Sequence, residues 1–390
     1  MEKRFVYADC SATTPVTPHV REEMRPFFEE EYGNPSSLYR KGREARAALE
    51  SARRRCAAAL GALPEEVFFT SCGTESDNWA VKGTALAALR EKKRHIITTA
   101  VEHHAVLNAC AALEKLGFEI TRLPVSSGGA VDPEDVRRAM RPDTGLVSVM
   151  TANNEVGTLQ PINEIGSLCR EAGILFHTDA VQAVGNIAIS FDAQPLDLLS
   201  LSGHKIGAPK GIGILCIRRG VRIENLLDGG GQENGCRSGT ENVAFAAGLA
   251  AALEDACKNV ADRAEKKAVL RDRLFDALLA VPGTYANGSR ENRLCTNVNL
   301  SFLGVSGGRL LAALDREGIA ASAGSACSAG SSSPSHVLKA LGVPPQLAAG
   351  ALRLTLGDAT SPQDVDYLIG TIPRVVAALR HGSPFPANPV

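Results

Sequence analysis

Ten cysteines occur in this chain, at 10, 56, 72, 110, 169, 216, 236, 257, 295 and 327, yet no two form a Cys-x-x-Cys pair. That absence excludes zinc-ribbon and thioredoxin-type readings. No apolar run approaches the roughly 18 residues that span a bilayer. The opening MEKRFVYADCSATTP has no secretory core. The expectation is therefore a cytoplasmic protein with reduced thiols, most of them small core hydrophobes. An excess of one charge is missing too: 42 Lys plus Arg face 43 Asp plus Glu, a net charge of −1. Such balance gives no footprint for nucleic acid or an anionic membrane. Neither G-x-x-x-x-G-K-[ST] nor G-x-G-x-x-G after the first strand is present, which removes the common nucleotide cradles.

What the chain does have is alternation. Short β-rich runs recur at 67–70 (VFFT), 95–99 (HIITT), 118–123 (FEITRL), 146–150 (LVSVM), 174–178 (ILFHT), 196–201 (LDLLSL) and 213–217 (GILCI), most of them separated by helical patterns. This predicts a mostly parallel sheet covered on both faces, with its ligand beyond the carboxyl ends of the strands. From Lys258 the pattern changes to a long charged helix over 261–279, strands at 296–302 and 352–356, and helices at 307–317, from Pro334 and from Pro362. That part reads as a smaller α+β domain, since 390 residues exceed one compact core.

The strand ends carry the chemistry. They place Ser71 to Asp77, Ala100 to His104, Thr151 to Glu155, Asp179 to Gln182 and Ser202 to Lys205 around one crevice. SGHKIGAPKG, Ser202 to Gly211, leaves its strand with two lysines among glycines, which fits either a phosphate cradle or a reactive amine. Gly73–Thr74 opens a helix whose free N–H groups suit a small phosphate ester. The run GGGQENGCRSGT, Gly229 to Thr240, fits further phosphate donors or a surface loop equally well. His177 and Asp179 could face one ion, but no other ligand cluster has metal-site spacing, and no metal is expected. A lysine amine, a carboxylate and a phosphate site together describe pyridoxal phosphate, with Lys205 as its Schiff-base lysine and Asp179 as partner of the ring nitrogen.

These residues lie in blocks that resemble the cysteine desulfurases of the nitrogen-fixation and iron–sulfur-assembly group, fold-type I pyridoxal-phosphate enzymes. The blocks include GNPSS, FTSCGTESDN, EHHAVL, NNEVGTLQPI, HTDAVQAVG, SGHKIGAPKGIG, GGGQENGCRSGTEN, SAGSACSAGSSSPSHVLKALG and RLTLG, nearly end to end. The resemblance implies a large domain over 15–257 with a seven-stranded, mostly parallel sheet. It also implies a small α+β domain over 1–14 and 258–390. Lys205 would hold the cofactor, Asp179 its ring nitrogen and Gln182 its ring hydroxyl, while His103 would stack on the ring and share in proton transfer. Gly73, Thr74, Ser202 and His204 would bind the phosphate, joined by Thr240 from the other subunit of a homodimer. Asn154 and Arg353 would hold the carboxylate of L-cysteine. Cys327 would be the nucleophile, taking the substrate sulfur as a persulfide and leaving alanine, before delivery to an acceptor such as an iron–sulfur scaffold protein. A selenocysteine lyase would share the fold and most of these residues. The chain departs from the group at Cys72 and Gly73, at Tyr39 after GNPSS and at Asp358 after RLTLG, none of which alters these roles.

Overall fold

A computed structural model describes residues 4–323 and 335–381. In chain order its strands are β1 (Val6–Tyr7), β2 (Val67–Thr70), β3 (His95–Thr99), β4 (Glu119–Leu123), β5 (Thr144–Ser148), β6 (Leu175–Asp179), β7 (Leu198–Ser202), β8 (Gly213–Ile217), β9 (Thr284–Ala286), β10 (Asn297–Phe302), β11 (Ile319–Ala320) and β12 (Ala351–Thr355). Seven of them form one sheet in the order β2-β8-β7-β6-β5-β3-β4. Only β8 runs against its neighbours, being antiparallel to β2 and β7; the β7-β6-β5-β3-β4 pairings are all parallel. The expected seven-stranded, mostly parallel sheet is borne out, with several boundaries displaced by one or two residues.

Burial explains why these runs are strands. Each of β2, β3, β5, β7 and β8 is buried at every position, as a sheet covered on both faces requires. Successive residues alternate between two cores. Phe69, Ile97, Val147, Leu199 and Cys216 pack with Leu49, Cys56, Ile165, Leu249 and Leu253 from the helices Arg40–Leu60, Ile162–Ala172 and Val243–Cys257. Phe68, Ile96, Leu146, Leu198 and Leu215 pack on the opposite face with Trp79, Val106, Cys110 and Leu113.

A third core gathers Leu274 and Phe275 of the helix Val260–Leu279, Val298 and Leu300 of β10, Leu352 and Leu354 of β12 and Leu368 and Ile372 of the helix Pro362–His381. Val6 and Ala8 join it, because β1 pairs with β11. The chain therefore starts among its C-terminal elements. It then crosses to the large sheet, with Asp9 bridging Thr355.

Helix signals legible in the sequence act as expected. Gly173 closes its helix at φ +63, left-handed backbone that glycine enters without strain. Thr17 caps the helix Pro18–Met24, which has proline in its first turn. The glycine-rich run is anchored by a buried ion pair instead. Arg53 donates to both Glu233 carboxylate oxygens at 2.7 and 2.8 Å, and to Val67 O at 2.7 Å. Glu233 also accepts from Phe69 N at 2.9 Å. It holds a positive φ of 46°, a strained geometry that its partners must maintain.

Removing one member leaves a buried, uncompensated charge. Arg53→Met is expected to lower unfolding free energy by about 3–5 kcal/mol in urea denaturation, and adding Glu233→Leu to restore part of that. A single variant within about 1 kcal/mol of wild type would show the pair to be dispensable.

Candidate functional site

At the carboxyl ends of β2, β3, β5, β6 and β7 lies a cavity of about 300 Å³. Gly73, Thr74, His103, Asn154, Asp179, Gln182, Ser202, His204, Lys205 and Arg353 all line it. Thr240 is exposed and does not line it. Cys327 lies outside the described residues. A larger cleft, about 1200 Å³, shares Ser11, Gln182 and Lys205 with this cavity. It reaches neither Asp179 nor His103, so the convergent chemistry belongs to the smaller space.

Lys205 ends the short turn that follows β7. Its Nζ donates to Ser11 O at 2.6 Å and Ala12 O at 2.8 Å, from the crossing N-terminal segment. Gln182 Nε2 donates to the same Ser11 carbonyl at 3.0 Å. Asp179 closes β6 and is 5% exposed. Burial pushes its carboxyl upward, while His103, the Val181 N–H at 2.9 Å and Lys205 pull the other way. His103 caps the helix His104–Glu114, its Nδ1 accepting from Ala105 N at 3.2 Å. Its neutral form therefore carries its proton on Nε2. Burial lowers the His103 pKa, which favours the neutral ring with Nε2–H as its donor.

The phosphate end is shaped by close approach. A Cβ on Gly73 would lie 2.9 Å from Val181 Cγ2 and 3.2 Å from Ser202 Cβ, so only glycine brings the backbone this near. Gly73 starts a helix that runs on through a π turn, Trp79–Gly83, to Ala88. His204 bonds Thr13 Oγ1 through Nδ1 at 3.1 Å. Burial, with Lys205 and Lys210 nearby, brings its pKa to about 4. A glycine-tight helix start, two hydroxyls, a neutral imidazole, an amine and a buried carboxyl fit the pyridoxal phosphate outline at both ends.

Opposite them, Arg353 is 2% exposed on β12. Its Nη1 donates to Asn154 O at 2.9 Å and its Nη2 to Asp9 Oδ1 at 2.8 Å, leaving Nε buried without a partner. The expected fork toward a carboxylate is thus partly engaged within the chain. An incoming carboxylate takes the Nε–H or displaces one of these contacts.

Five ionisable residues of this cavity wall or its support carried no role in the sequence reading. Asp77, His104 and Glu155 line the cavity and stand at strand ends, a positional signal that was legible. Glu102 is fully buried, and burial pushes it up to about 8 against hydrogen bonds from Thr99 and Met150. His336, whose Nε2 meets Glu102 O at 3.0 Å and whose ring lies 4.5 Å from that of His104, had no such signal. His177 is no metal ligand here: its nitrogens bond Ser148 and Ser200 at 2.8 and 2.9 Å. Among the described residues no group of three or more His, Cys, Asp or Glu could hold a metal ion.

The profile of the aminotransferase class-V family matches residues 6–368. A protein named cysteine desulfurase IscS from Methanosarcina thermophila is 50% identical over 383 residues, covering 98% of this chain and 95% of that protein. Among solved structures, a NifS-like protein superposes with a TM-score of 0.90 at 40% identity, over 96% of this chain and all of that one. A structure described as SspA in complex with cysteine gives a TM-score of 0.79 at 36% identity, over 92% of this chain and all of that one.

The thiols separate by environment. Burial raises the pKa of Cys10 to about 11 and of Cys110 and Cys169 to about 12, and pushes Cys56 and Cys216 higher still. Cys72 instead lines the cavity. Brief iodoacetamide treatment of the folded protein near neutral pH, with peptide mapping, is expected to label Cys72 and leave those five unmodified. Label on any of the five at the rate of Cys72 would contradict this ordering.

Proposed function

The chain belongs to the class-V aminotransferase family, and from that premise we infer that it is a pyridoxal-phosphate-dependent cysteine desulfurase. The observation that carries the reading is the convergence of Lys205, Asp179, His103, Gly73 and Arg353 on one cavity. Pyridoxal phosphate, when bound, supplies an electron sink for the substrate carbon that loses its proton. Lys205 would hold it, Asp179 would pair with its ring nitrogen, and Gln182 would meet its ring hydroxyl. Gly73, Thr74, Ser202 and His204 would take its phosphate. Thr240 would complete that phosphate site in a second copy of the chain, a role supported by its exposure outside its own cavity. The division into 15–257 and 1–14 with 258–390 belongs to the same reading.

Each side chain then has a task set by its charge. The Ser11 and Ala12 carbonyls position the Lys205 amine at the cavity before it takes the cofactor. Once unprotonated, that amine can move the proton at the substrate α-carbon. His103, its neutral form favoured by burial, can hold a proton at Nε2 in the cavity wall and would offer it to the cofactor–substrate pair. Arg353 and Asn154 would orient the substrate carboxylate. The thiolate of Cys327 attacks the substrate sulfur, forming a sulfur–sulfur bond as the carbon–sulfur bond breaks. The bonding pair stays on carbon, which takes up a proton and leaves as alanine. One thiol and one cysteine thus become one persulfide and one alanine, and a sulfur-acceptor protein such as an iron–sulfur scaffold would receive the sulfur.

Two substitutions separate the parts of this proposal. Borohydride treatment of the holoenzyme is expected to fix the cofactor's mass on the Lys205 peptide, and Lys205→Ala to abolish that mark. Cys327→Ala is expected to retain cofactor but lose alanine production and protein-bound sulfur by several orders of magnitude. A fixed cofactor on another lysine, or an active Cys327→Ala variant, would overturn the corresponding assignment.

A further inference from the structure

Asp77 sits in the wall of this cavity with no task in the scheme above. It is 1% exposed, and its Oδ1 is buried without a hydrogen-bond partner. His177 Nε2 stands 3.8 Å from Oδ1, and the Ser200 hydroxyl lies within electrostatic reach of the carboxyl. His177 is itself fully buried, with Ser200 Oγ at 2.9 Å from Nε2 and Ser148 Oγ at 2.8 Å from Nδ1. A hydrogen-bonded chain Ser148–His177–Ser200 thus runs across β5, β6 and β7 and abuts Asp77. In register, Ser148 pairs with His177 and Ser200 with Asp179. Burial brings the His177 pKa to about 3, so this chain joins neutral groups and supplies no cation to Asp77.

Asp77 and Asp179 line the same cavity of about 300 Å³, within electrostatic reach of each other. Two buried carboxyls so placed do not both ionise. The surroundings decide which one does. Asp179 has the Val181 N–H, and Lys205 and His103 in its field. Asp77 has a bare oxygen, and the titratable groups that act on it include Asp179, Glu102, Cys72 and the neutral His177. The anion therefore settles on Asp179 and the proton on Asp77.

We propose that Asp77 is a positioning residue, a carboxyl held neutral by its site beside the Ser200–His177–Ser148 chain, which keeps the negative charge of the pair on Asp179, where the cofactor's ring nitrogen would meet it. Its action on the cofactor rests on the assignment of Asp179 to the ring nitrogen; its neutrality does not. A neutral amide of the same shape can replace such a group, whereas an apolar side chain offers His177 and Ser200 no polar neighbour at this position.

The test uses the full chain with Asp77→Asn and Asp77→Leu. The infrared difference between cofactor-free wild type and Asp77→Asn at neutral pH is expected to show the C=O stretch of one protonated carboxyl group. Ionised-carboxylate bands in its place would overturn the proposal. In titrations with pyridoxal phosphate, Asp77→Asn is expected to bind within about threefold of wild type and Asp77→Leu at least about tenfold more weakly. Asp77→Asn as weak as Asp77→Leu, or Asp77→Leu equal to wild type, would overturn it as well. Should Asp77→Leu fail to fold, the infrared result on Asp77→Asn decides alone. Wild type that shows the protonated band yet binds no pyridoxal phosphate would refute the cofactor assignment, and with it the proposed action on the ring, while leaving the neutrality of Asp77 standing.

Discussion

A carboxyl group buried at the end of a central strand is the constraint on which this site depends. Asp179 closes β6, the fourth strand in the sheet order, and is almost inaccessible to water. Taking an unpaired carboxylate into such a place costs several kcal/mol. The structure offsets this with the Val181 N–H and with the amine and imidazole that share its cavity. In the proposed holoenzyme, a protonated ring nitrogen would be the further partner of Asp179. The cavity is thus an electrostatic receptacle before any ligand arrives, which is the sense in which such sites are preorganised.

Three residues of the crossing segment tie the two sides of that receptacle together. Asp9 holds the Arg353 guanidinium, and also accepts from Ser322 Oγ at 2.9 Å. Ser11 and Ala12 hold the Lys205 amine, and Ser11 also takes Gln182. Ser11 N is itself fixed on Thr355 Oγ1 at 2.9 Å. Movement of this segment would disturb the substrate side and the cofactor side at once.

Much of this was legible in the sequence, for identifiable reasons. Runs such as HIITT and GILCI are apolar at both faces, which only a doubly covered strand tolerates, and their bounds matched the structure. Strand-end position then gathered Lys205, Asp179, His103 and Ser202, because a parallel sheet delivers all its strand ends to one edge. Where strands shifted, as at β5, which begins at Thr144 and not Leu146, a polar residue buried at the start hid the boundary. Long-range partners were illegible. Nothing local to Ser11 or Ala12 says that their carbonyls meet a lysine some 190 positions later, and nothing around His336 says that it packs on His104. Asp77 was visible at a strand end, but its relation to His177 depends on register across three strands.

The central claim is that this chain splits cysteine into alanine and a sulfur atom that it keeps. The most direct measurement is a quenched single-turnover experiment on the holoenzyme with L-cysteine limiting and no added reductant or acceptor, counting alanine and protein-bound sulfur together. One bound sulfur is expected for each alanine formed. Alanine release without bound sulfur, or pyruvate and free sulfide in place of alanine, would contradict the claim.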